Sequence, residues 1–359
     1  MPIRRKLFEG LSWRLEARAA ASPPQTGDRI RGCAGRMMGL ARAHDCLPDI
    51  EQQAAILCFH GITERPDPEV EDNVLSLRNF RRLLDVLRRS FRVIGLAELV
   101  ACINERRSPP PKSIVVTFDD GYACCHEIAA GEMALRRMPW SVFLPANLIE
   151  TGGRQWLDDV RVLIHRGERK RISLHWDGRA VEFDLSTPER RSAAVKQIIE
   201  TCRYLPESQR RPRFEELLSL FSEDEIAFVR DQYPSFAPMT WQQARELKLA
   251  GVDVGSHGLS HIALAPQTPD FIRHELATAR DLLQQRIGHH SPHFSYPYGR
   301  PAAMSPETET VIRDMGYHCG LTLEQEIVRC QACNLMALPR LIVSAQVGRV
   351  LFGLWQRFL

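Results

Sequence analysis

Six uncharged residues, Ser113-Ile114-Val115-Val116-Thr117-Phe118, run straight into two adjacent aspartates and a glycine, Asp119-Asp120-Gly121. A short apolar run rich in β-branched residues and closed by a turn signal reads as a buried strand. The sequence before and after it alternates. Ala54 to Phe59 reads as a buried strand ended by His60-Gly61, and Ser76 is placed to cap a helix running through Phe80, Leu83, Leu84 and Leu87. Phe91 to Ile94 reads as a strand, Ala97 to Ile103 and residues 123–137 as helices, and Trp140 to Leu144 as another short buried strand. Strand and helix alternating at this rhythm imply a mainly parallel sheet, open or closed into a barrel.

The rhythm stops between residues 151 and 237, a charged, arginine-rich stretch with helices expected at 189–203 and 212–231 and a hairpin at 171–183 turning on Asp177-Gly178. An insertion of this size is longer than an ordinary connection and is expected to cap the barrel mouth or meet the substrate. The rhythm resumes with Thr240 capping a helix that ends at Gly251, helices opened by Thr268-Pro269 and Ser305-Pro306, and a last strand at 338–343. The expected organisation is therefore a basic appendage at 1–53, a first barrel part at 54–150, a mainly helical insertion at 151–237, a second barrel part at 238–345 and an amphipathic segment at 346–359.

Adjacent carboxylates repel one another unless their tasks are divided. A cation held by one of them lowers the cost of the second charge and leaves that second carboxylate free as a base. The other half of such a site stands in Val252-Asp253-Val254-Gly255-Ser256-His257-Gly258-Leu259-Ser260-His261, with two imidazoles at the spacing of one turn. Each motif alone has a plainer meaning, an N-cap turn for the aspartates and a solvated helix face for the histidines. Both follow strands, however, and the carboxyl ends of strands are where α/β folds place their ligands. One aspartate and two histidines form a metal set.

These residues resemble the polysaccharide deacetylases with a NodB-type domain, carbohydrate esterase family 4. Thr117-Phe118-Asp119-Asp120-Gly121 matches the family's first motif without a change, Ser256-His257 with His261 matches the second, and Phe294-Ser295-Tyr296-Pro297-Tyr298-Gly299 is similar to a third element ending in Pro-Tyr-Gly. The resemblance covers about residues 54–150 and 238–343. It implies a distorted (β/α) barrel in which Asp119 is the base and Asp120, His257 and His261 hold a divalent ion. Zinc is the first expectation, and cobalt, nickel or iron suit the same mixed donors.

The resemblance further places the backbone N–H of Tyr298 where it helps hold an oxyanion, sets Tyr296 and Pro297 along the substrate groove, and makes Gly299 the point of close sugar approach. Ser295 stands where the commonest third motif has an arginine that orients the catalytic aspartate, and Arg340 on the last strand is the candidate replacement. A late Leu-x-Leu-x-His motif is absent, because Leu321-Thr322-Leu323 is followed by Glu324 and Gln325. A branch of the family that deacetylates poly-N-acetylglucosamine takes this histidine from the end of the first strand. Cys58-Phe59-His60-Gly61-Ile62 is similar to that element, so His60 is expected to protonate the leaving amine.

The leading expectation is a metal-dependent hydrolase that removes N-acetyl groups from an acetamido-sugar of a polysaccharide or glycolipid precursor, acting on an acetylated glycan or a lipid-linked sugar. The alternatives are an amidase on a small cyclic amide or ureide and a catalytically silent glycan-binding protein. An aspartyl-phosphate phosphatase is set aside, since it needs an aspartate where Phe118 stands. With 47 basic and 44 acidic residues the net charge of +3 creates no field that calls for nucleic acid. Ten cysteines at irregular spacing read as reduced thiols, with Cys330-Gln331-Ala332-Cys333 structural or incidental, and no apolar run reaches membrane-spanning length. The expected location is the cytoplasm, with peripheral contact at the inner membrane face through the basic-apolar termini. Trp156, Trp176 and Trp241 are candidates for sugar-stacking faces.

Overall fold

Every residue of the run Ser113–Phe118 is buried in a strand near the middle of a nine-stranded sheet. The protein is described from a computed structural model for residues 53–288, 291–344, 351 and 354; all but a few residues of the expected appendage at 1–53 and segment at 346–359 lie outside the described residues. In chain order the strands are β1 (Gln53–Phe59), β2 (Gly61–Thr63), β3 (Val74–Ser76), β4 (Arg92–Val93), β5 (Ser113–Phe118), β6 (Ser141–Leu144), β7 (Arg171–Trp176), β8 (Arg179–Asp184), β9 (Asp253–Ser256), β10 (His293–Ser295), β11 (Cys319–Leu321), β12 (Val328–Arg329) and β13 (Leu341–Ile342). The main sheet runs β11-β10-β9-β6-β5-β1-β12, with β4 also on β5 and β13 also on β1. All its pairings are parallel except β1 with β12.

The sheet curls until its ends nearly meet, as expected for a distorted (β/α) barrel. Leu338 exchanges backbone bonds of 2.8 Å with Gly320 and Thr322 at the β11 side, and three residues later β13 lies along β1. Ile56, Val115, Phe143, Leu321 and Leu338 share one buried cluster, so side chains of β1 and β11 meet inside although five other pairings separate their strands. Phe143 fills this interior because residue 255 is glycine: a Cβ there would stand 2.5 Å from its ring.

Helices cover the outside. They are α1 (Leu77–Ser90), α2 (Leu96–Asn104), α3 (Ala130–Leu135), α4 (Ala146–Thr151), α5 (Trp156–Arg166), α6 (Pro188–Cys202), α7 (Glu207–Ser219), α8 (Glu223–Asp231), α9 (Trp241–Leu249), α10 (Pro269–Ile287) and α11 (Pro306–Asp314). The side chains of Ser76, Thr240, Thr268 and Ser305 each accept from a backbone N–H in the first turn of their helix, as their sequence positions imply. Phe80 of α1 sits edge-on to Phe59 and Phe118, which stack at 5.0 Å, and Trp140 closes the group. This cluster fixes the ends of β1 and β5 side by side.

Three local expectations are corrected. The helix expected at 123–137 opens as a π-helical turn, Cys125–Ala129, before α3. The helix expected at 212–231 is two, because Ser222 starts a new capping box with Glu225. Helix α5, inside the stretch expected as an insertion, was not anticipated. The hairpin turns at Asp177-Gly178, where both φ angles are positive. Among the described residues no helix is long and apolar enough to cross a membrane.

Candidate active site

Parallel strands deliver their carboxyl ends to one rim, and His60, Asp119, Asp120 and His257 each follow directly on β1, β5 or β9. His257 Nε2 lies 3.5 Å and His261 Nε2 3.2 Å from Asp120 Oδ1. The ligand atoms of Asp120, His257 and His261 all fall within 4.8 Å of one another, and all three residues are buried. The two histidines do not ride on a helix. They bracket an irregular loop whose Leu259 and Ser260 N–H groups both donate to Glu275 Oε1 from α10. Glu275 is 2% exposed and acts as the loop's backbone clamp.

The ring orientations follow from neighbouring groups. His257 Nδ1 lies 2.7 Å from the Ser295 carbonyl, which fixes that nitrogen as the donor and turns Nε2 toward Asp120. His261 packs edge-on to Tyr298 at 5.0 Å, and its buried Nδ1 has no hydrogen-bond partner among the described residues. Asp120, His261 and Tyr298 have φ of 71°, 52° and 64°, the left-handed region that side chains enter at a cost. Strain of this kind in three residues around one point marks a site held by its surroundings.

Asp119 is gripped rather than free. Arg340 Nη1 and Nη2 donate to its two carboxylate oxygens at 2.8 and 2.6 Å, and Ser295 Oγ and Cys58 Sγ approach Oδ2 at 3.1 and 3.4 Å. The remaining guanidinium donors go to Thr117 Oγ1, Ser295 Oγ and the Thr322 carbonyl, so all five N–H bonds of Arg340 are used. Burial works to raise the Asp119 carboxyl, but Arg340, followed by His257, holds it well below the usual range. Asp120 is likewise held low by the two imidazoles against its burial. At His257 the two aspartates outweigh burial and raise the ring, whereas at His261 burial wins and lowers it.

Arg340 and, in the third motif, Tyr296 are each 0% exposed, the Tyr296 hydroxyl donating to the Met336 carbonyl. Gly299 likewise serves internal packing: its φ is 55°, and a Cβ would meet Leu323 N at 2.8 Å. Pro297 is buried beside it, and a Cβ on Gly258 would touch its ring. Tyr298 does reach the site. Its hydroxyl accepts from Trp156 Nε1 at 2.8 Å and donates to the His261 carbonyl at 3.2 Å, and burial pushes it up to about 12.

Trp156 is thus the one tryptophan of the three candidates that meets the site; Trp176 packs on Phe183 within the hairpin, and Trp241 donates to Glu150. Arg210 lies over the Trp156 ring and Arg203 over Tyr298. Tyr122, two residues past Asp120, donates to Asp158 on α5, whose carboxyl burial pushes up to about 7. Elements of the 151–237 stretch therefore touch both halves of the site. His60 follows β1 at 8% exposure, and among the described residues its buried Nδ1 has no hydrogen-bond partner.

A sequence profile of the polysaccharide deacetylases matches residues 207–320, a stretch that holds His257, His261 and the third motif. Over residues 207–320 the chain is therefore similar to the polysaccharide deacetylase family. Its fold is that of NodB-type deacetylases, hydrolases of carbon–nitrogen bonds other than peptide bonds. The deacetylase YxkH of Bacillus subtilis strain 168, named for this family, is 28% identical over 115 residues, which are 32% of this chain and 40% of that protein. The match thus spans less than half of that relative's length. Among solved structures, the Streptococcus pyogenes deacetylase PplD, in complex with acetate, has a TM-score of 0.56 at 15% identity, covering 84% of this chain and 98% of that one. IcaB from Ammonifex degensii has a TM-score of 0.55 at 18% identity, covering 85% and 97%. At these identities the likeness is one of fold. The first motif of this chain, Asp119-Asp120, lies before the profile match and enters the site through the sheet register.

Proposed function

We propose that the protein is a metal-dependent hydrolase that removes N-acetyl groups from an acetamido-sugar of a polysaccharide or glycolipid precursor, releasing acetate. The observation that carries this reading is the convergence of Asp120, His257 and His261 beside an Asp119 that Arg340 keeps ionised. One carboxylate oxygen and two imidazole nitrogens, buried and with His257 oriented by a carbonyl, suit a divalent ion. Zinc fits first, and cobalt, nickel and iron accept the same donors. Bound there, the ion supplies acidity to water and polarisation to the acetyl carbonyl.

The residues do the rest. Asp119 takes the proton from the attacking water, and the grip of Arg340 aims the carboxylate while leaving it charged. The water oxygen joins the acetyl carbon, the C–N bond breaks, and His60 gives its proton to the departing amine. Tyr298 sits against His261, where its backbone N–H is offered to the oxyanion. The products are acetate and a free amino-sugar.

Acetate release from N-acetylated oligosaccharides, free sugars and lipid-linked sugars, paired with metal analysis of the full chain, tests this reading. His257→Ala should lose both the ion and turnover. Full activity in that variant would overturn the assignment, and turnover confined to cyclic imides would favour the small-amide reading.

A further inference from the structure

We propose that Cys58, His60 and Asp119 form a second metal locus, separate from the set of Asp120, His257 and His261, that takes up a thiophilic divalent ion present in excess and stops turnover. The backbone creates the juxtaposition. Residues two apart on a strand share a face, which puts Cys58 and His60 together at the end of β1. The parallel register pairs Phe59 with Phe118, and Asp119 N–H donates to the Phe59 carbonyl at 2.9 Å, bringing Asp119 beside them. Thiol sulfur, imidazole nitrogen and carboxylate oxygen then lie within 4.8 Å of one another in a buried spot.

A second observation points to a ligand there. Among the described residues His60 Nδ1 is buried with no hydrogen-bond partner, a condition that costs free energy and that an additional partner relieves. Sulfur, nitrogen and oxygen donors in one small set favour zinc or cadmium over magnesium or calcium. Binding converts the Cys58 thiol to a thiolate and releases its proton to solvent, with no change of oxidation state. The new thiolate and the Asp119 carboxylate set two negative charges against the ion, but Asp119 also answers Arg340, so ion, thiolate, carboxylate and guanidinium together keep one positive charge. Burial of the neutral thiol and the grip of Arg340 on Asp119 make this locus weaker than the first, which is why excess ion is required.

Only the inhibition rests on the proposed hydrolysis, since an ion here occupies Asp119 and His60; the binding does not. The test uses the full chain, stripped with a chelator and titrated with cadmium while the ultraviolet charge-transfer absorption of a cadmium–thiolate bond is followed. The absorption should rise in the parent and in His257→Ala, fall in Cys58→Ser by the share of one thiolate, and require at least about tenfold more cadmium for that share in His60→Gln, which keeps the thiol. Excess zinc should inhibit acetate release, with a midpoint at least about tenfold higher in Cys58→Ser, each variant being referred to its own uninhibited rate. An undiminished absorption in Cys58→Ser would assign the signal to another cysteine and overturn the locus, as would an unshifted zinc midpoint. A parent with the cadmium signal and no acetate release would sink the hydrolase reading alone.

Discussion

Replacing Arg340 with methionine tests the electrostatic core of the site. The substitution keeps an apolar stem of similar reach but removes the guanidinium and its five donated hydrogen bonds. Asp119, 1% exposed, is then a buried carboxylate without its counter-ion. Removing one partner of a buried ion pair costs about 3 to 5 kcal/mol, a large share of the roughly 5 to 15 kcal/mol that holds a typical domain folded. Urea unfolding at neutral pH should show that loss as a lower midpoint.

The same variant should move the pH dependence. A carboxyl whose folded value is depressed contributes stability that is present above its unfolded value, about 3.9, and lost as pH falls through the folded value. The parent has this contribution from Asp119, because Arg340 and His257 outweigh burial. Without Arg340 burial gains the upper hand and the Asp119 value rises, so the acid limb of the acetate-release profile moves to higher pH. If the unpaired charge is the cause, adding Asp119→Asn to Arg340→Met should return at least about 1 to 3 kcal/mol of stability, since the stranded group is then neutral. A single variant within about 0.5 kcal/mol of the parent, or a double variant no more stable than the single, would refute the reasoning.

Three further outcomes follow from the geometry. Glu275→Ala frees the Leu259 and Ser260 N–H groups and loosens the loop between the histidines, so metal affinity should fall about 10- to 100-fold in equilibrium dialysis, as for other groups that orient ligands. Trp156→Phe removes the donor to the Tyr298 hydroxyl and should destabilise the fold by about 1 to 2 kcal/mol, read by denaturant unfolding. Gly255→Ala drives a methyl group into Phe143 and should cost about 1 to 3 kcal/mol by the same measurement, with Phe143→Leu in the same chain relieving part of it.

What the sequence revealed and what it hid divide along physical lines. Asp119 and Asp120 were legible because an uncharged strand ends on them, and His257 and His261 because their spacing repeats a known motif. The role of Arg340 was open to inference only as a missing cation, left by the serine at 295. Glu275 gave no signal: a single carboxylate in a helix reads as solvated, and only packing reveals that it faces two backbone donors. Helix α5 was obscured by Asp158 and Asp159 in its first turn, which look exposed but are each 2% exposed, paired with Tyr122 and with Arg230. The packing of Gly299 on Leu323 was hidden because a glycine's need for space does not say which neighbour presses on it. Closure of the barrel lay beyond local patterning, since it depends on Leu338 joining β11 across the sheet's open side.

That closing segment has a consequence for how the protein comes into being. Arg340 and the aspartate it holds are 221 positions apart, and the arginine rides on the piece of chain that seals the sheet. During synthesis the reactive carboxylate leaves the ribosome long before its counter-ion exists. A growing chain that has already gathered the two imidazoles still lacks the cation that grips Asp119, so on the proposed mechanism the site is complete only once the stave carrying Arg340 is laid.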